Sequence, residues 1–471
     1  MSLDLVVIGA GMAGMVTAVR AAGRGLKVAV LEKGEAERYP CNTRLSGGII
    51  HIAFVDPKRK AADILAAIGR VDSGGAEPEL ASALAESVSP AIDFLRSEGA
   101  RFLRAGGQEY QNWMLAPPRR LVAGMDWEGR GPDVLLRGLA QRLAALGGTL
   151  HRGTRAIALT MRDGTCVGVE TENGDFPARA VLIADGGFQA NTAMLAEHIT
   201  ATPPALKQRG AATGMGDGLA MARAAGAATT DLRRFYGHLL CRDAMHNDKV
   251  WPYPELDGIA VSGMLVGGNG RRLVDEGLGG VNMANALACS PDPLGGVIVF
   301  DAAIWDGPGR SARIPANPAL ENAGGTILRA DSLEDLARQA GLPGDGLAAS
   351  VAAHNEAISA GSLSALSPPR STERFKPWPI ATAPFMAIPC CAGITYTMGG
   401  IRIDRNARVL NDAGAPIRGL YAAGSCTGGL EGGHNATYLG GLAKAAAFGL
   451  RAADHISETN ETVLLKQETS T

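Results

Sequence analysis

Several hallmarks of other protein classes are absent from this 471-residue sequence. It contains no run of about 18 consecutive apolar residues, so we expect no membrane-spanning helix. The formal net charge is −2 without a long run of one sign, which argues against the basic patch that nucleic-acid binding requires. The first residues run directly into an apolar stretch, without the charged lead and cleavage site of a secretory signal. We therefore expect a cytoplasmic globular protein.

Cysteine is scarce and scattered, with seven residues in the chain. No C-x-x-C pair, C-x-x-C-H motif or cysteine cluster occurs. The pattern therefore predicts no metal site, whether zinc, haem iron or an iron–sulfur cluster, and no redox dithiol. Reduced thiols are the expected state in a cytoplasmic protein.

Aromatic residues make up only 5% of the chain, whereas glycine is abundant at 63 residues. So many glycines indicate close backbone approaches, as when a chain wraps a large ligand. The chain is too long for one ordinary hydrophobic core, so we predict two domains.

The N-terminal segment has the pattern of a strand–helix–strand unit. An apolar run over residues 3–8 predicts a buried parallel strand, residues 12–23 predict a helix, and residues 27–31 predict a second strand. The motif Gly9-Ala10-Gly11-Met12-Ala13-Gly14 stands where the first strand meets the helix. This context predicts a Rossmann-type dinucleotide site.

Each part of this motif has a mechanical purpose. Gly9 permits a tight turn, Gly11 lets the backbone approach a pyrophosphate, and Gly14 lets the helix pack against the strand. The helix N-terminus supplies unpaired N–H groups and partial positive charge for the phosphates. Glu32 follows the second strand and is placed to accept hydrogen bonds from ribose hydroxyls.

Patterning further along the chain predicts additional elements in two groups. The first group comprises helices at 78–95 and 132–146, a hairpin of 156–160 and 167–171 around Asp163-Gly164, a strand at 179–184 and a helix at 218–226. The second group comprises strands at 400–403 and 420–423, a hairpin around 412–414 and a helix at 441–455. Residues 235–380 are richer in Pro, Gly and Asn, with helical patterning at 333–358.

These differences suggest a discontinuous arrangement. We predict an α/β cofactor domain formed by residues 1–234 and 381–460. An inserted α+β capping domain would span residues 235–380, and residues 461–471 would form a polar tail.

Three glycine-rich segments favour FAD over NAD as the dinucleotide. They are Asn42-Thr43-Arg44-Leu45-Ser46-Gly47-Gly48, Ala184-Asp185-Gly186-Gly187-Phe188 and Gly419-Leu420-Tyr421-Ala422-Ala423-Gly424. A cofactor that is touched by both ends of so long a chain must itself be long.

These motifs together resemble the flavoprotein family of fumarate reductases, succinate dehydrogenases and L-aspartate oxidases. Ketosteroid dehydrogenases and tricarballylate dehydrogenase are more distant members, and the candidate catalytic residues resemble theirs more than those of true fumarate reductases. The resemblance covers about residues 1–455. It is carried by the N-terminal glycine motif, Ser46-Gly47-Gly48, Gly186-Gly187-Phe188, Gly214-Met215-Gly216-Asp217-Gly218, Thr397-Met398-Gly399-Gly400, Gly419 to Gly424 and Leu439-Gly440-Gly441.

The resemblance implies an active site between an FAD domain and a mobile cap. The residues that we assign to FAD binding are Gly9, Gly11, Met12, Ala13, Gly14, Glu32, Lys33, Asn42, Thr43, Ser46, Gly47, Gly48, Ala156, Asp185, Gly186, Gly187, Asp217, Gly424, Ser425, Leu439, Gly440 and Leu442. Cys41 stands where some members carry the histidine that anchors the flavin covalently, so noncovalent FAD is expected. Ser425 replaces the acidic residue of the family, which puts the flavin ribitol contact in doubt.

The resemblance breaks at the residues that bind and protonate fumarate. No arginine occurs in the stretch after Arg272-Leu273-Val274-Asp275-Glu276, where the proton-delivering arginine is expected. Tyr396 replaces a histidine and Tyr438 replaces an arginine, whereas His238 is kept. Without these arginines the pattern offers no means of holding a small dicarboxylate.

Tyrosines beside a flavin indicate proton transfer next to a carbonyl group, as the ketosteroid dehydrogenases imply. We therefore predict an FAD-dependent dehydrogenase that desaturates a ketone or carboxylic acid, with β-hydride transfer to flavin N5. Tyr396 and Tyr438 are candidate proton-transfer or oxyanion groups, and His238 and His434 are candidate substrate ligands. The alternatives are that the tyrosines only line or pack the pocket, that His238 is an interdomain residue, and that His434 is a loop residue.

Two other functions remain open at this point. One is an enoate reductase of the fumarate or urocanate type, and the other is a noncatalytic flavoprotein or electron-transfer subunit. The inserted domain argues against the latter, because electron transfer alone needs no cap. Electrons would pass to an external acceptor such as oxygen, a quinone or a redox protein. The substrate, the direction of reaction and the oligomeric state do not follow from the sequence.

Overall fold

The computed structural model describes residues 3–468 of the chain, and side chains up to residue 459. The strands are β1 (Leu3–Ile8), β2 (Val28–Glu32), β3 (Phe102–Leu103), β4 (Met114–Leu115), β5 (Thr149–Arg152), β6 (Ala156–Arg162), β7 (Thr165–Thr171), β8 (Gly174–Ile183), β9 (Lys207–Gln208), β10 (Phe235–Cys241), β11 (Met264–Val266), β12 (Val297–Asp301), β13 (Leu328–Ala330), β14 (Phe385–Thr397), β15 (Arg408–Leu410) and β16 (Pro416–Ala422).

The α-helices range from one turn to 28 residues. They are α1 (Met12–Gly23), α2 (Asn42–Leu45), α3 (Ala61–Val71), α4 (Pro78–Ser97), α5 (Gly131–Ala145), α6 (Thr192–His198), α7 (Asp217–Ala224), α8 (Asp257–Ala260), α9 (Gly280–Ala288), α10 (Ala302–Asp306), α11 (Ala316–Asn322), α12 (Leu333–Ala340), α13 (Gly344–Ala360) and α14 (Gly441–Glu468). Short 3₁₀ turns connect several of them, at Glu109–Gln111, Pro203–Ala205, Arg242–Met245, Asp248–Val250, Glu276–Leu278, Pro308–Arg310 and Leu363–Ala365. None of the helices within residues 3–468 is both long and apolar enough to cross a bilayer.

The first sheet has a parallel core. Strand β1 lies between β2 and β8, β5 extends the sheet beyond β2, and β16 runs parallel to β8. The meander β6–β7–β8 adds antiparallel pairing, and β15 pairs antiparallel with β16. The central strands are buried along their apolar runs, as expected for a parallel sheet that is covered on both faces.

Both chain ends build this layer. Helix α14 packs on α1, where the Thr17 hydroxyl donates a 2.8 Å hydrogen bond to the Gly449 carbonyl. A Cβ atom on Gly449 would lie 2.7 Å from the Ala13 carbonyl oxygen, so the two helices are in backbone contact. The predicted contribution of the C-terminal segment to the cofactor domain therefore has a structural basis.

A second, mostly antiparallel sheet stands over the first. Its strand order is β10–β14–β12–β11, and β9 and β13 also pair with β14. Strand β14 is almost wholly buried and pairs with four partners. It carries Tyr396 and Thr397 at its end, beside the first sheet's glycine-rich turns. Our proposed domain boundaries remain a prediction, although this sheet draws strands from both sides of residue 380.

The elements predicted near the N-terminus are confirmed, including the hairpin turn at Asp163-Gly164. The expected strand at residues 400–403 is wrong. Ile401 and Ile403 form only isolated bridges, to Thr229, Thr427 and Val409. The reason is that this segment crosses three different neighbours and never runs along one of them. The polar tail predicted for 461–471 continues α14 as far as Glu468, and its last three residues lie outside the described part.

Gly14 provides a direct test of the helix–strand contact. A Cβ atom at Gly14 would lie 1.9 Å from the Gly9 carbonyl oxygen, whereas one at Gly23 would meet only Leu146 Cδ1, at 3.9 Å. We expect Gly14→Ala to lower the free energy of unfolding by about 1–3 kcal/mol through overpacking. We expect Gly23→Ala in the same helix to be neutral or stabilising by up to about 1 kcal/mol. Equal thermal unfolding midpoints for the two variants would contradict this account.

Candidate functional site

A groove crosses the carboxyl ends of β1, β2 and β8, which is where parallel sheets bind nucleotides. Its lining includes Gly11, where no side chain caps helix α1. The nearest atom to a Cβ placed at Gly11 is the Thr43 hydroxyl at 3.6 Å, so the backbone here is open to the groove. The uncapped helix end and the bare backbone fit a pyrophosphate group.

Glu32 also lines this groove and is held rigidly. Its two carboxylate oxygens accept hydrogen bonds from the backbone N–H groups of Ala10 (3.1 Å) and Gly34 (2.8 Å). Burial raises the pKa of Glu32, and the two N–H donors oppose this rise. The remaining lone pairs of the carboxylate can accept ribose hydroxyls, as predicted.

Acidic and basic side chains line the groove further along. Asp217 forms ion pairs with Lys33 (2.9 Å) and Arg155 (2.7 Å). Asp185 accepts a 2.7 Å hydrogen bond from the Gly218 N–H, but its buried Oδ1 has no partner among the described atoms. Burial raises the pKa of Asp185 to about 6. An unsatisfied buried acceptor in the groove suits a ligand that carries hydroxyl groups.

The structure brings most of the predicted FAD residues together. Those that line the groove are Gly9, Gly11, Met12, Ala13, Glu32, Lys33, Asn42, Thr43, Ala156, Asp185, Gly186, Asp217, Gly424 and Ser425. Those that line an adjoining cavity are Asn42, Thr43, Ser46, Gly47, Gly48, Ser425 and Leu442. Gly14, Gly187, Leu439 and Gly440 line neither space. Gly14 supports the turn at Gly9, while Leu439 and Gly440 donate their N–H groups to Glu431.

The adjoining cavity has a volume of about 630 Å³. It lies between the 46–49 loop, the start of α14, the ends of β10 and β14, and segments of residues 235–380. Because it shares Asn42, Thr43, Ser425 and Ala445 with the groove, a ligand can extend from one space into the other.

Three tyrosines meet in this cavity. The rings of Tyr236 and Tyr438 stack with centroids 4.0 Å apart, and Tyr236 lies 5.2 Å from Tyr396. Tyr236 and Tyr396 are register partners on β10 and β14. The predicted residues Tyr396 and Tyr438 thus converge, and Tyr236 joins them although the sequence analysis overlooked it.

A hydrogen-bond relay leads away from Tyr236. Its hydroxyl lies 2.9 Å from His238 Nε2, and His238 Nδ1 lies 2.6 Å from Asp257 Oδ2. The Asp257 carboxylate accepts only, so Nδ1 carries a proton, and in that neutral tautomer Nε2 accepts from the Tyr236 hydroxyl. The Glu255 carboxylate also lies 3.5 Å from Nε2. Burial raises the pKa of Tyr236 well above 10. The only available signal in the sequence was the two-residue spacing, which places Tyr236 and His238 on one face of a strand.

His238, Glu255 and Asp257 also form a cluster of possible metal ligands, with ligand atoms within 4.8 Å of one another. Both ring nitrogens of His238 are already engaged, by Tyr236 and by Asp257. Glu255 forms an ion pair with the buried Arg209, which also donates to the Pro252 carbonyl (3.1 Å) and the Thr395 hydroxyl (3.1 Å). The cluster is therefore better explained as a hydrogen-bonded wall of the cavity.

Beneath the tyrosines lies a buried carboxylate, Glu431. It accepts the Tyr396 hydroxyl (2.9 Å), the Lys444 ammonium (2.8 Å) and the N–H groups of Leu439 (3.0 Å) and Gly440 (3.2 Å). Burial would raise the pKa of Glu431, but Lys444 and the hydrogen bonds outweigh it and hold the pKa below its usual 4.5. Burial and this carboxylate raise the pKa of Tyr396 well above 10. Glu431 lies in a glycine-rich loop without periodicity, so no sequence signal pointed to it.

Tyr438 differs from Tyr396 in its hydroxyl partners. The Gly441 N–H donates to the Tyr438 oxygen at 3.4 Å, and the Tyr438 hydroxyl also shares a side-chain hydrogen bond with Tyr236. Burial raises the pKa of Tyr438, and the nearby Glu431 adds to the rise. Tyr438 is therefore a hydrogen-bond donor at neutral pH.

His434 is not brought to the cavity. Its side chain is exposed, and its backbone N–H is held by the Ser73 carbonyl at 3.2 Å. The neighbouring glycines Gly432 and Gly433 both have positive φ, and the loop they shape leaves His434 in solvent. The histidines that do line the cavity are His238 and His51, and burial lowers the pKa of His51 to about 4, so that it is neutral at physiological pH.

The cavity contains arginines, although this chain lacks the two that are expected from the family pattern. Arg209, Arg313 and Arg374 line the cavity and come from parts of the chain where no arginine was sought. The absence of the two family arginines therefore does not leave the cavity without positive charge, and the prediction that it cannot hold a small dicarboxylate stays a prediction. Loops without a recognisable motif supply these side chains, which is why sequence patterns did not reveal them.

Comparison with known proteins agrees with this geometry. The profile of the FAD binding domain family matches residues 4–441. The chain is 28% identical over 467 residues to fumarate reductase (cytochrome) of Shewanella frigidimarina, covering 94% of this chain and 74% of the relative. It is 26% identical over 523 residues to 4-oxocyclohexanecarboxylate 2-dehydrogenase of Sinomonas cyclohexanicum, covering 90% and 87%.

The same fold occurs in a solved structure. The 3-ketosteroid Δ1-dehydrogenase of Sterolibacterium denitrificans matches with a TM-score of 0.72 at 20% identity, over 97% of this chain and 100% of that one. The predicted Rossmann-type α/β fold and the FAD cofactor are confirmed. The chain therefore belongs to the FAD binding domain family, and it is an FAD-dependent oxidoreductase of the class that acts on CH–CH groups.

Proposed function

We propose that this enzyme desaturates a ketone between its α and β carbons. The observation that carries the proposal is the relay Tyr236–His238–Asp257, which faces Tyr438 in the cavity that adjoins the dinucleotide groove. Bound FAD would supply the chemistry of accepting the β-hydride at N5. The protein's own residues then need to remove the α-proton and stabilise the developing enolate.

Tyr236 is the proposed base for the α-proton. Because burial raises the pKa of Tyr236, a free phenolate is not populated at neutral pH. The Tyr236 proton must therefore pass to His238 Nε2 as the phenol oxygen takes the substrate proton. Asp257 orients the imidazole and stabilises the imidazolium that forms, which is the logic of a serine–histidine–aspartate triad applied to a tyrosine.

Tyr438 is the proposed donor to the substrate oxygen. Burial raises the pKa of Tyr438, so its hydroxyl keeps its proton at neutral pH, and a substrate oxygen would take the place of Tyr236 as its hydrogen-bond partner. Tyr396 is less suited to this role because its hydroxyl is committed to Glu431. We propose that Tyr396 instead shapes the cavity wall and that His238 acts through Tyr236 and does not bind substrate directly.

Noncovalent FAD remains part of the proposal. Cys41 lines the groove at the position where some members anchor the flavin. Burial raises the pKa of the Cys41 thiol to about 11, so little thiolate is present to form such a bond. The electron acceptor (oxygen, a quinone or a redox protein) and the cytoplasmic location also remain predictions.

The named relatives support either direction of reaction. Two of them, 4-oxocyclohexanecarboxylate 2-dehydrogenase and 3-ketosteroid Δ1-dehydrogenase, are named as dehydrogenases of ketones. The third is named as a reductase, which is the opposite direction of reaction. The cavity arginines Arg313 and Arg374 favour an enoate reductase as a second candidate, because they can hold a carboxylate. In that direction the relay would deliver a proton instead of removing one.

Anaerobic flavin absorbance distinguishes the two candidates. Saturated cyclic ketones are added to the oxidised holoenzyme, and unsaturated acids are added to the dithionite-reduced holoenzyme. Bleaching by a saturated ketone supports desaturation. Reoxidation only by an unsaturated acid replaces our proposal with the reductase.

Tyrosine substitutions test the assigned roles. We expect Tyr236→Phe and Tyr438→Phe each to slow flavin reduction by a saturated ketone by at least about tenfold, or about 1.4 kcal/mol, because each removes a group used in the transition state. Stopped-flow absorbance at saturating ketone measures the rate. Tyr421→Phe is the control, since Tyr421 bonds to His455 away from the cavity. Wild-type rates in both variants would reject the tyrosine mechanism.

The buried ion pair below the tyrosines predicts a stability effect. We expect Lys444→Met to cost about 3–5 kcal/mol, because it leaves the Glu431 carboxylate buried without its cation. The control is Arg20→Met in helix α1. It removes a partly exposed ion pair with Asp454, which lies on α14 as Lys444 does, and should cost about 1 kcal/mol or less. Denaturant unfolding of the FAD-loaded protein compares the two. A smaller loss for Lys444→Met than for Arg20→Met would mean that the pair does not stabilise the fold.

A further inference from the structure

We propose that the substrate is a cyclic oxo acid, whose carboxylate is bound by Arg313 and Arg374 while its ketone faces Tyr438. This assignment rests on the proposed ketone chemistry and adds the second functional group of the substrate. It also assigns a binding role to two arginines that no motif identifies.

Both arginines lack a countercharge. They line the cavity, and no ion pair reaches either guanidinium from the residues that the structure describes. Arg313 Nη1 donates a hydrogen bond to the Met114 sulfur at 3.0 Å. The Arg374 guanidinium lies over the rings of Phe54 (5.9 Å) and Phe375 (5.5 Å).

The other charged side chains around the cavity either have partners within the protein or contact no aromatic ring. Arg209 is paired with Glu255, and Asp257 is bonded to His238. Asp72 accepts the backbone N–H groups of Gly75 (2.9 Å) and Ala76 (3.1 Å). Arg70 also lines the cavity and is exposed, as Arg374 is, but unlike Arg374 it contacts no aromatic ring in the described part.

Aromatic rings lie between Arg374 and Tyr438. Phe54 lies 6.2 Å from the Tyr438 ring and 5.9 Å from the Arg374 guanidinium. His51 stacks on Phe54 at 5.0 Å, and Tyr110 meets both rings edge-on. A substrate that spans from Tyr438 to Arg374 must cross this aromatic wall, so an apolar ring between ketone and carboxylate fits the spacing.

The energetics favour a carboxylate over a neutral group. A guanidinium forms strong, often bidentate hydrogen bonds to a carboxylate. Two arginines without protein partners would lose this gain with an uncharged ligand, so the site discriminates by charge as well as by shape.

Benzoate and benzamide test the subsite without any turnover. Both are flat rings of the same shape, and only benzoate carries the charge. Their dissociation constants are measured from perturbation of the visible flavin spectrum of the holoenzyme. We expect benzoate to bind more tightly than benzamide, and we expect Arg313→Gln and Arg374→Gln each to weaken benzoate by at least about tenfold while leaving benzamide unchanged.

Two further variants separate a built site from a general positive field. Arg233→Gln removes an exposed arginine that is paired with Asp231 on the surface and should leave benzoate binding unchanged. Arg70→Gln removes a cavity charge outside the aromatic wall. Loss of benzoate affinity in Arg70→Gln as large as in Arg374→Gln, or equal affinity of the wild type for benzoate and benzamide, would overturn the proposal.

Turnover separates this inference from the proposed function. We expect 4-oxocyclohexanecarboxylate to reduce the flavin with at least about tenfold higher kcat/KM than 4-methylcyclohexanone, and we expect Arg374→Gln to remove that preference. Turnover of both ketones at equal efficiency rejects the carboxylate subsite and keeps the desaturase. Charge-selective binding of benzoate without reduction by either ketone rejects the desaturase and keeps the subsite.

Discussion

The buried carboxylate of Glu431 holds the active-site architecture together. It neutralises Lys444 in helix α14, accepts the two backbone N–H groups that precede that helix, and anchors the Tyr396 hydroxyl from the second sheet. A charge so deeply buried is tolerable only when every lone pair is satisfied, and here four donors do so. The carboxylate thus fixes the start of α14 relative to β14. The cavity lies directly above this junction, so its shape depends on the same contacts.

The sequence predicted those features of the fold that are determined by neighbouring residues. The glycine motif, the buried parallel strands and the turn at Asp163-Gly164 are determined by neighbours a few residues away, and each was predicted. Strand β14 and the segment around Ile401 depend instead on several partners that are scattered along the chain, including β10 for the former and Thr229 for the latter, so the former was not predicted and the latter was predicted wrongly. Glu431, Arg313 and Arg374 lie in loops, where side-chain positions follow from tertiary packing alone. Tyr236 was within reach, because its spacing from His238 places both on one strand face.

Two parts of the chain contribute different chemistry to one cavity. Tyr236 and His238 stand on a rigid, buried strand whose register with β14 sets the distance to Tyr396. Arg313 and Arg374 come from loops, the first just before α11 and the second before β14. Proton transfer requires fixed distances of about 3 Å, whereas charge recognition tolerates more freedom. The placement of the relay on strands and of the arginines on loops matches this difference in required precision.

The contact between helices α1 and α14 has a consequence for how the chain reaches its native state. Thr17 and Gly449 are 432 positions apart in sequence, and helix α1 cannot complete its packing until both exist. At a synthesis rate of about 5–20 residues per second, the ribosome needs on the order of tens of seconds to deliver the second partner. During that interval the apolar face of α1 and the edge of β8 lack their final covers. The N-terminal half therefore cannot complete the packing of α1 before the C-terminal helix has been synthesised.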